Sequence, residues 1–174
     1  MPRLLLTFGV LCAVTLLLRP GLLARQRSNC YGLTRQAPPD LATARQLIRL
    51  ALQMSALADS SRATLAKQIR IGGFEDPTRE FWISAADVAG RAEAFAPNDQ
   101  ATLLSAATLY LRAATLGEAR LDTVFGLRAE CFATRASAIS HDPRLADSAR
   151  ALLHDIHTSL EEERRAAAQE RRGP

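Results

Sequence analysis

Across residues 40–160 the apolar side chains recur every three or four positions. The runs are cut only by glycine and proline punctuation: Gly72-Gly73, Asp76-Pro77, Pro97-Asn98-Asp99, Gly117 and Asp142-Pro143. That spacing lines one face of a helix with a period of 3.6 residues, whereas a half-buried strand would alternate. Only Ile69-Arg70-Ile71 alternates, which is too short to count as a strand. The fold expected is all-α: an irregular bundle of about five helices after an N-terminal apolar signal or anchor segment.

The breaks place the helices. Asp40 caps a first helix that runs to about residue 71 and ends at the glycine pair, with Leu47, Ala51, Met54, Ala58, Leu65 and Ile69 inward. Asp59-Ser60-Ser61 can kink or split it. Asp76-Pro77 starts a second helix, because an aspartate cap followed by proline loses no useful amide. Its stripe is Phe81, Ala85, Val88, Ala92 and Phe95, with Trp82 beside it. Asp99 opens a third helix on Leu103, Leu104, Ala107, Tyr110, Leu111 and Ala114. A fourth runs over residues 118–140 with Leu121, Val124, Leu127, Cys131 and Ala138 inward. Glu118 and Asp122 sit in its first turns, where acids favour the positive dipole end. A fifth, from Asp142-Pro143, packs through Leu145, Ala149, Leu152, Leu153, Ile156 and Leu160. Residues 161–174 have no apolar face. Glu161 and Glu162 stand three or four places before Arg164 and Arg165, which supports a solvated helical tail that frays near Gly173-Pro174.

Residues 4–18 are an uncharged run between Arg3 and Arg19, the pattern of a signal peptide core. Gly21-Leu22-Leu23-Ala24 extends it toward the length of a span if Arg19 snorkels. Residues 1–24 are therefore read as a signal peptide or membrane anchor, 25–39 as a polar linker, 40–160 as the helical domain and 161–174 as the charged tail. A membrane-anchored or exported body is expected. The arginines that follow the apolar run, Arg19, Arg25, Arg27 and Arg35, leave the cytoplasmic face of the membrane as the alternative. Cys12 lies in the apolar run. The other two cysteines, Cys30 and Cys131, are expected to pair in an oxidising compartment and to close a loop of about 100 residues.

The formal net charge of +4 invites a nucleic-acid reading, but its distribution argues against one. Residues 1–39 hold five arginines and no acid, which leaves 17 of the 22 basic residues against all 18 acidic ones in the rest of the chain. The body has no basic cluster able to displace counterions from phosphates, so no nucleic-acid partner is expected.

Ala138-Ile139-Ser140-His141-Asp142-Pro143 resembles the small-residue-to-Asp-Pro ending of a tetratricopeptide unit, and Leu103, Ala106, Ala107 and Tyr110 resemble its start. The resemblance implies a helical-repeat adaptor. The spacing departs from a repeat of about 34 residues, since Pro77 to Pro97 is 20 positions and Pro97 to Pro143 is 46. Arg135 also stands where that pattern takes a large apolar residue. The irregular bundle is accordingly preferred.

Chemistry-bearing motifs are sparse. Lys67 has no glycine-rich phosphate loop before it, and C-x-x-C, H-E-x-x-H, G-x-S-x-G and EF-hand spacings do not occur. One constellation remains: His154, His157 and Glu161 fall within about 60° of one another around the fifth helix, and imidazoles with a carboxylate can hold a transition metal. Asp147 and Arg150 share that face, which makes it equally a solvated charged stripe. Glu118 with Asp122 is a possible acid–base pair. Trp82 and Tyr110 are possible pocket walls, though their stripes make them core residues first. The expected function is a small protein-binding accessory or adaptor subunit, tethered through residues 4–24 or exported, without catalysis or cofactor. The alternative is a metal- or small-molecule-binding helical protein, possibly enzymatic, using His154, His157 and Glu161.

Overall fold

The computed structural model describes Cys30 and residues 39–72, 78–115, 121–139 and 141–172, with backbone alone at 63–72 and 172. Residues 4–24, Asp76-Pro77, Glu118 and Gly173-Pro174 lie outside the described residues. Among the described residues there are five helices: α1 (Leu41–Gly72), α2 (Arg79–Ala92), α3 (Gln100–Thr115), α4 (Thr123–Ala138) and α5 (Pro143–Arg172). No strand occurs among the described residues.

Aspartates set four of the five starts. Asp40 Oδ1 accepts the amides of Ala42 and Thr43 at 3.0 and 3.2 Å, and Asp99 Oδ2 accepts the Thr102 amide at 2.9 Å. Asp142 Oδ1 accepts the Arg144 amide at 2.9 Å, with Pro143 at the first helical position. Asp122 Oδ1 accepts from Val124 and Phe125, so Asp122 is the cap of α4 and not a first-turn residue. In each case a carboxylate satisfies amides that have no partner inside the helix. Thr78 precedes α2 and makes no side-chain cap bond. Asp59-Ser60-Ser61 does not interrupt α1: the Ser60 hydroxyl donates to the Leu57 carbonyl at 2.9 Å and is satisfied within the helix. α5 likewise runs through residue 160 without a break.

Each helix packs on the next. α1 also touches α3, and α3 touches α5, whereas α1 makes no contact with α4 or α5. The helices thus stack in order, with α1, α3 and α5 in one layer and α2 and α4 in the other. α2 and α4 are not in backbone contact. They run side by side, bridged by three ion pairs in matching order along both: Arg79–Asp122 (3.8 Å), Asp87–Arg128 (4.0 Å) and Glu93–Arg135.

Small side chains make the close approaches. Ala51, Ala58, Ala86, Ala89, Ala106, Ala107, Ala129, Ala133, Ala136 and Ala149 are all buried, and Trp82, Leu103, Tyr110, Phe132 and Ile156 fill the space between the helices. Tyr110 lies between Phe125 and Phe132, with ring centroids 5.6 and 5.5 Å away. The inward residues of α3 and α5 are largely those expected. Two faces differ. On α2 Trp82 is fully buried while Phe81 is 53% exposed. On α4 Gly126, Ala129, Phe132, Ala133 and Ala136 face the core, and Val124 and Leu127 are 60% and 47% exposed. The cause is geometric: a helix wedged between two neighbours turns its smallest residues toward them, so the ridge that buries best is the narrow one and not the most apolar one. Gly126 shows how tight this is, since a Cβ there would stand 3.1 Å from a Leu160 methyl and 3.2 Å from a Leu121 methyl.

Candidate functional site

The three residues singled out as metal ligands do not converge. His154, His157 and Glu161 are exposed on α5. His157 Nε2 lies 2.8 Å from Glu130 Oε1 of α4, and Glu161 Oε2 takes the Arg165 guanidinium at 3.3 Å. Among the described residues no group of three or more His, Cys, Asp or Glu side chains is placed to hold a metal ion. What the arrangement offers instead is an imidazole–carboxylate link tying α5 to α4. Trp82 and Tyr110 are both fully buried, the Tyr110 hydroxyl reaching Asp87 at 3.5 Å.

The buried polar chemistry gathers where α2, α4 and the linker meet. Cys30 is bonded to Cys131 of α4, as the pairing of the two cysteines outside the apolar run predicts, with Cα atoms 5.6 Å apart. Beside the bridge the Glu93 side chain is only 4% exposed and pairs with Arg135. The Cys30 amide also donates to Glu93 Oε1 at 3.4 Å, and the Arg135 guanidinium donates to the Pro97 carbonyl at 2.5 Å. Burial pushes the pKa of Arg135 down from its ordinary value. The departure of Arg135 from the tetratricopeptide pattern thus has a physical use: it neutralises a buried acid.

Gln100 is a second buried clamp. Its Nε2 donates to the Ala136 and Ile139 carbonyls at 3.0 and 2.7 Å, and its Oε1 accepts the Asp142 amide at 3.1 Å. One side chain therefore joins the end of α4 to the start of α5. A third polar contact lies between α1 and α3, where Asp59 holds Arg112 through both oxygens (2.9 and 2.8 Å). The guanidinium carbon sits 4.4 Å from the centroid of the Trp82 ring. The Trp82 indole N–H is buried without a hydrogen-bond partner.

Apart from the disulfide, none of these clusters was legible, because their hydrogen bonds join residues 36 to 63 positions apart in the chain. All three clusters cross-link helices, and none brings a nucleophile, a base and an oxyanion donor together. Among the described residues no helix is long and apolar enough to cross a membrane. Compared with known protein families, curated proteins and solved structures, the chain matches none.

Proposed function

We propose that this chain is a membrane-tethered or exported helical protein that binds another protein as an accessory or adaptor subunit, without catalysis. The observation that carries the reading is the outward face of α4. Val124 and Leu127 stand one turn apart, 60% and 47% exposed, on the helix that carries the disulfide and one side of the ion-pair ladder. Adjacent large apolar side chains left in water on one helix face support a protein-binding surface. The charged end of α5 adds Glu161, Glu162, Arg164 and Arg165, all exposed. Residues 4–24 supply the tether. The Cys30–Cys131 bridge supports a body in an oxidising compartment, outside the cytoplasm.

The resemblance to a tetratricopeptide unit gives a closely related second reading, a helical-repeat adaptor. The alternate-helix contacts of α1 with α3 and of α3 with α5 favour it, because stacked helix pairs make that pattern.

The test is recovery of a specific partner by cross-linking in the source cells. Leu127→Glu, or deletion of residues 161–174, removes the partner, while His154→Ala with His157→Ala retains it. A silent deletion and a silent Leu127→Glu, together with loss of activity in the histidine variant, reverses the conclusion in favour of metal or small-molecule binding. Protease accessibility in sealed cells checks the compartment.

A further inference from the structure

A second exposed surface lies on α1, and its residue order points to an occupant. Thr43, Leu47, Leu50, Met54, Leu57 and Ser61 follow one another at spacings of 4, 3, 4, 3 and 4, the spacing of a helix-on-helix seam. Leu50 and Leu57 are 46% and 64% exposed, and Leu47 and Met54 are half-buried. The strip lies beside the Ala44, Ala51 and Ala58 ridge that packs into the core. Leu47 packs against the cluster formed by Ala44, Ala92 at the end of α2, and Ala96 just beyond it, as does Phe95. Phe81, three turns earlier on that edge of α2, is also exposed.

We infer that this strip pairs with the same strip of a second copy of the chain, the two α1 helices antiparallel about a twofold axis near position 52. Three features select a second copy. First, the strip is palindromic. With the axis at position 52, Leu50 meets the partner's Met54, Leu47 meets the partner's Leu57, and Thr43 meets the partner's Ser61. Apolar residues therefore face apolar ones, and small hydroxyl residues close both ends. Second, the strip carries no charge. Arg45, Arg49 and Asp59 emerge about 120° or more around the helix from its midline, and Arg62 about 100° away on the side of the buried alanine ridge. A seam that selects a different partner usually carries flanking charges to do so, and at a twofold axis charges would meet their own sign. Third, the polar residue that flanks the strip at the axis is Gln53, and a glutamine amide both donates and accepts, so it is complementary to its own copy. The strip is about 27 Å long at 1.5 Å per residue, so with one helix width it offers far less than the roughly 800 Å² per partner of a standard interface. The dimer is therefore reversible and concentration-dependent.

The experiment is sedimentation velocity on the full chain in mild detergent across a range of protein concentrations. The wild type moves from the mass of one chain toward that of two. Leu50→Glu combined with Leu57→Glu raises the dissociation constant by about tenfold or more. Leu127→Glu on α4 leaves the dimer intact. Mixing a Leu50→Glu chain with a Met54→Lys chain restores a dimer that neither forms alone, because those positions face each other across the antiparallel axis. A wild type that stays monomeric at every concentration overturns the inference. So does a dimer that survives the double substitution, and so does failure of the mixed pair to associate. The inference does not rest on the accessory reading: partner recovery and dimer mass are separate readouts.

Discussion

Replacing both Cys30 and Cys131 by serine tests how much of the fold depends on one covalent tie. The bridge spans 101 positions. Closing a loop of that length removes about 4.7 kcal/mol of conformational freedom from the unfolded chain at 25 °C in the chain-entropy treatment. Two terms act in the folded state. Losing the tie frees residue 30, which offsets part of the cost. It also loosens the cover over Glu93, whose 3.4 Å bond from the Cys30 amide is long and therefore weak. The net loss expected is about 3–5 kcal/mol, a large share of the 5–15 kcal/mol that holds a domain together. Trp82 is the only tryptophan and is fully buried, so its fluorescence reports unfolding directly. With a urea slope of about 2 kcal/mol per molar, the midpoint falls by roughly 2 M. The slope itself rises, because the uncrosslinked chain exposes more surface on unfolding. Wild type treated with reductant should unfold at the same midpoint as the double serine variant. A midpoint shift below about 0.3 M refutes the loop argument. A reduced wild type that keeps the oxidised midpoint assigns the loss to the serines and not to the tie.

Gln100→Ala removes the partner of the Ile139 carbonyl and of the Asp142 amide, while the Ala136 carbonyl keeps the Ile139 amide, and is expected to cost about 2–3 kcal/mol in urea unfolding, concentrated at the junction of α4 and α5. Amide hydrogen exchange at residues 142–146 should rise first. Glu93→Ala strands a partly buried guanidinium. The expected loss is about 3 kcal/mol, the low end for a broken buried pair, because Arg135 keeps the Pro97 carbonyl and a 21% exposed side chain. Chemical denaturation checks it. The third test is pH. The Thr43 hydroxyl, then the Thr43 amide, hold Asp40 below its ordinary pKa. A group depressed in the folded state stabilises above its unfolded pKa of about 3.9, and that contribution fades as pH falls through the lower folded value. Asp40→Ala should therefore be less stable than wild type at neutral pH, with the gap closing in acid.

The helical class and three of the helix starts were legible because they depend on neighbours in the chain; the start of α4 was not, since it was expected near residue 118 and falls at Thr123. A carboxylate two or three positions before an amide caps whatever tertiary structure follows, so Asp40, Asp99 and Asp142 could be read directly. Which way α2 and α4 face could not be, because that depends on what stands on either side. Ranking residues by hydrophobicity put Phe81, Val124 and Leu127 inside. Packing put Ala86, Ala89, Ala129 and Ala133 inside instead, since α2 and α4 each lie between consecutive helices that must come close. In an alanine-rich chain with 5% aromatics the large side chains are too few to line every face. The few that stay outside then become informative.

The same distinction separates what could be read of the site from what could not. The disulfide was legible by elimination, since only Cys30 and Cys131 lie outside the apolar run. The histidine cluster was legible as a pattern on one helix, but a metal needs ligands that converge, and the helix points His154, His157 and Glu161 outward in a row. The neighbour that reaches His157 is Glu130, 27 positions away on α4. No periodicity within α5 encodes it. The ion-pair ladder between α2 and α4 is hidden in the same way: Arg79, Asp87 and Glu93 are ordinary surface charges until Asp122, Arg128 and Arg135 arrive beside them in the same order. The ladder does not use every charge of that layer: Glu80 and Arg91 of α2 stay exposed, as do Thr123 and Thr134 of α4, so Phe81, Val124 and Leu127 stand in water because packing turned them there and not because polar residues were lacking.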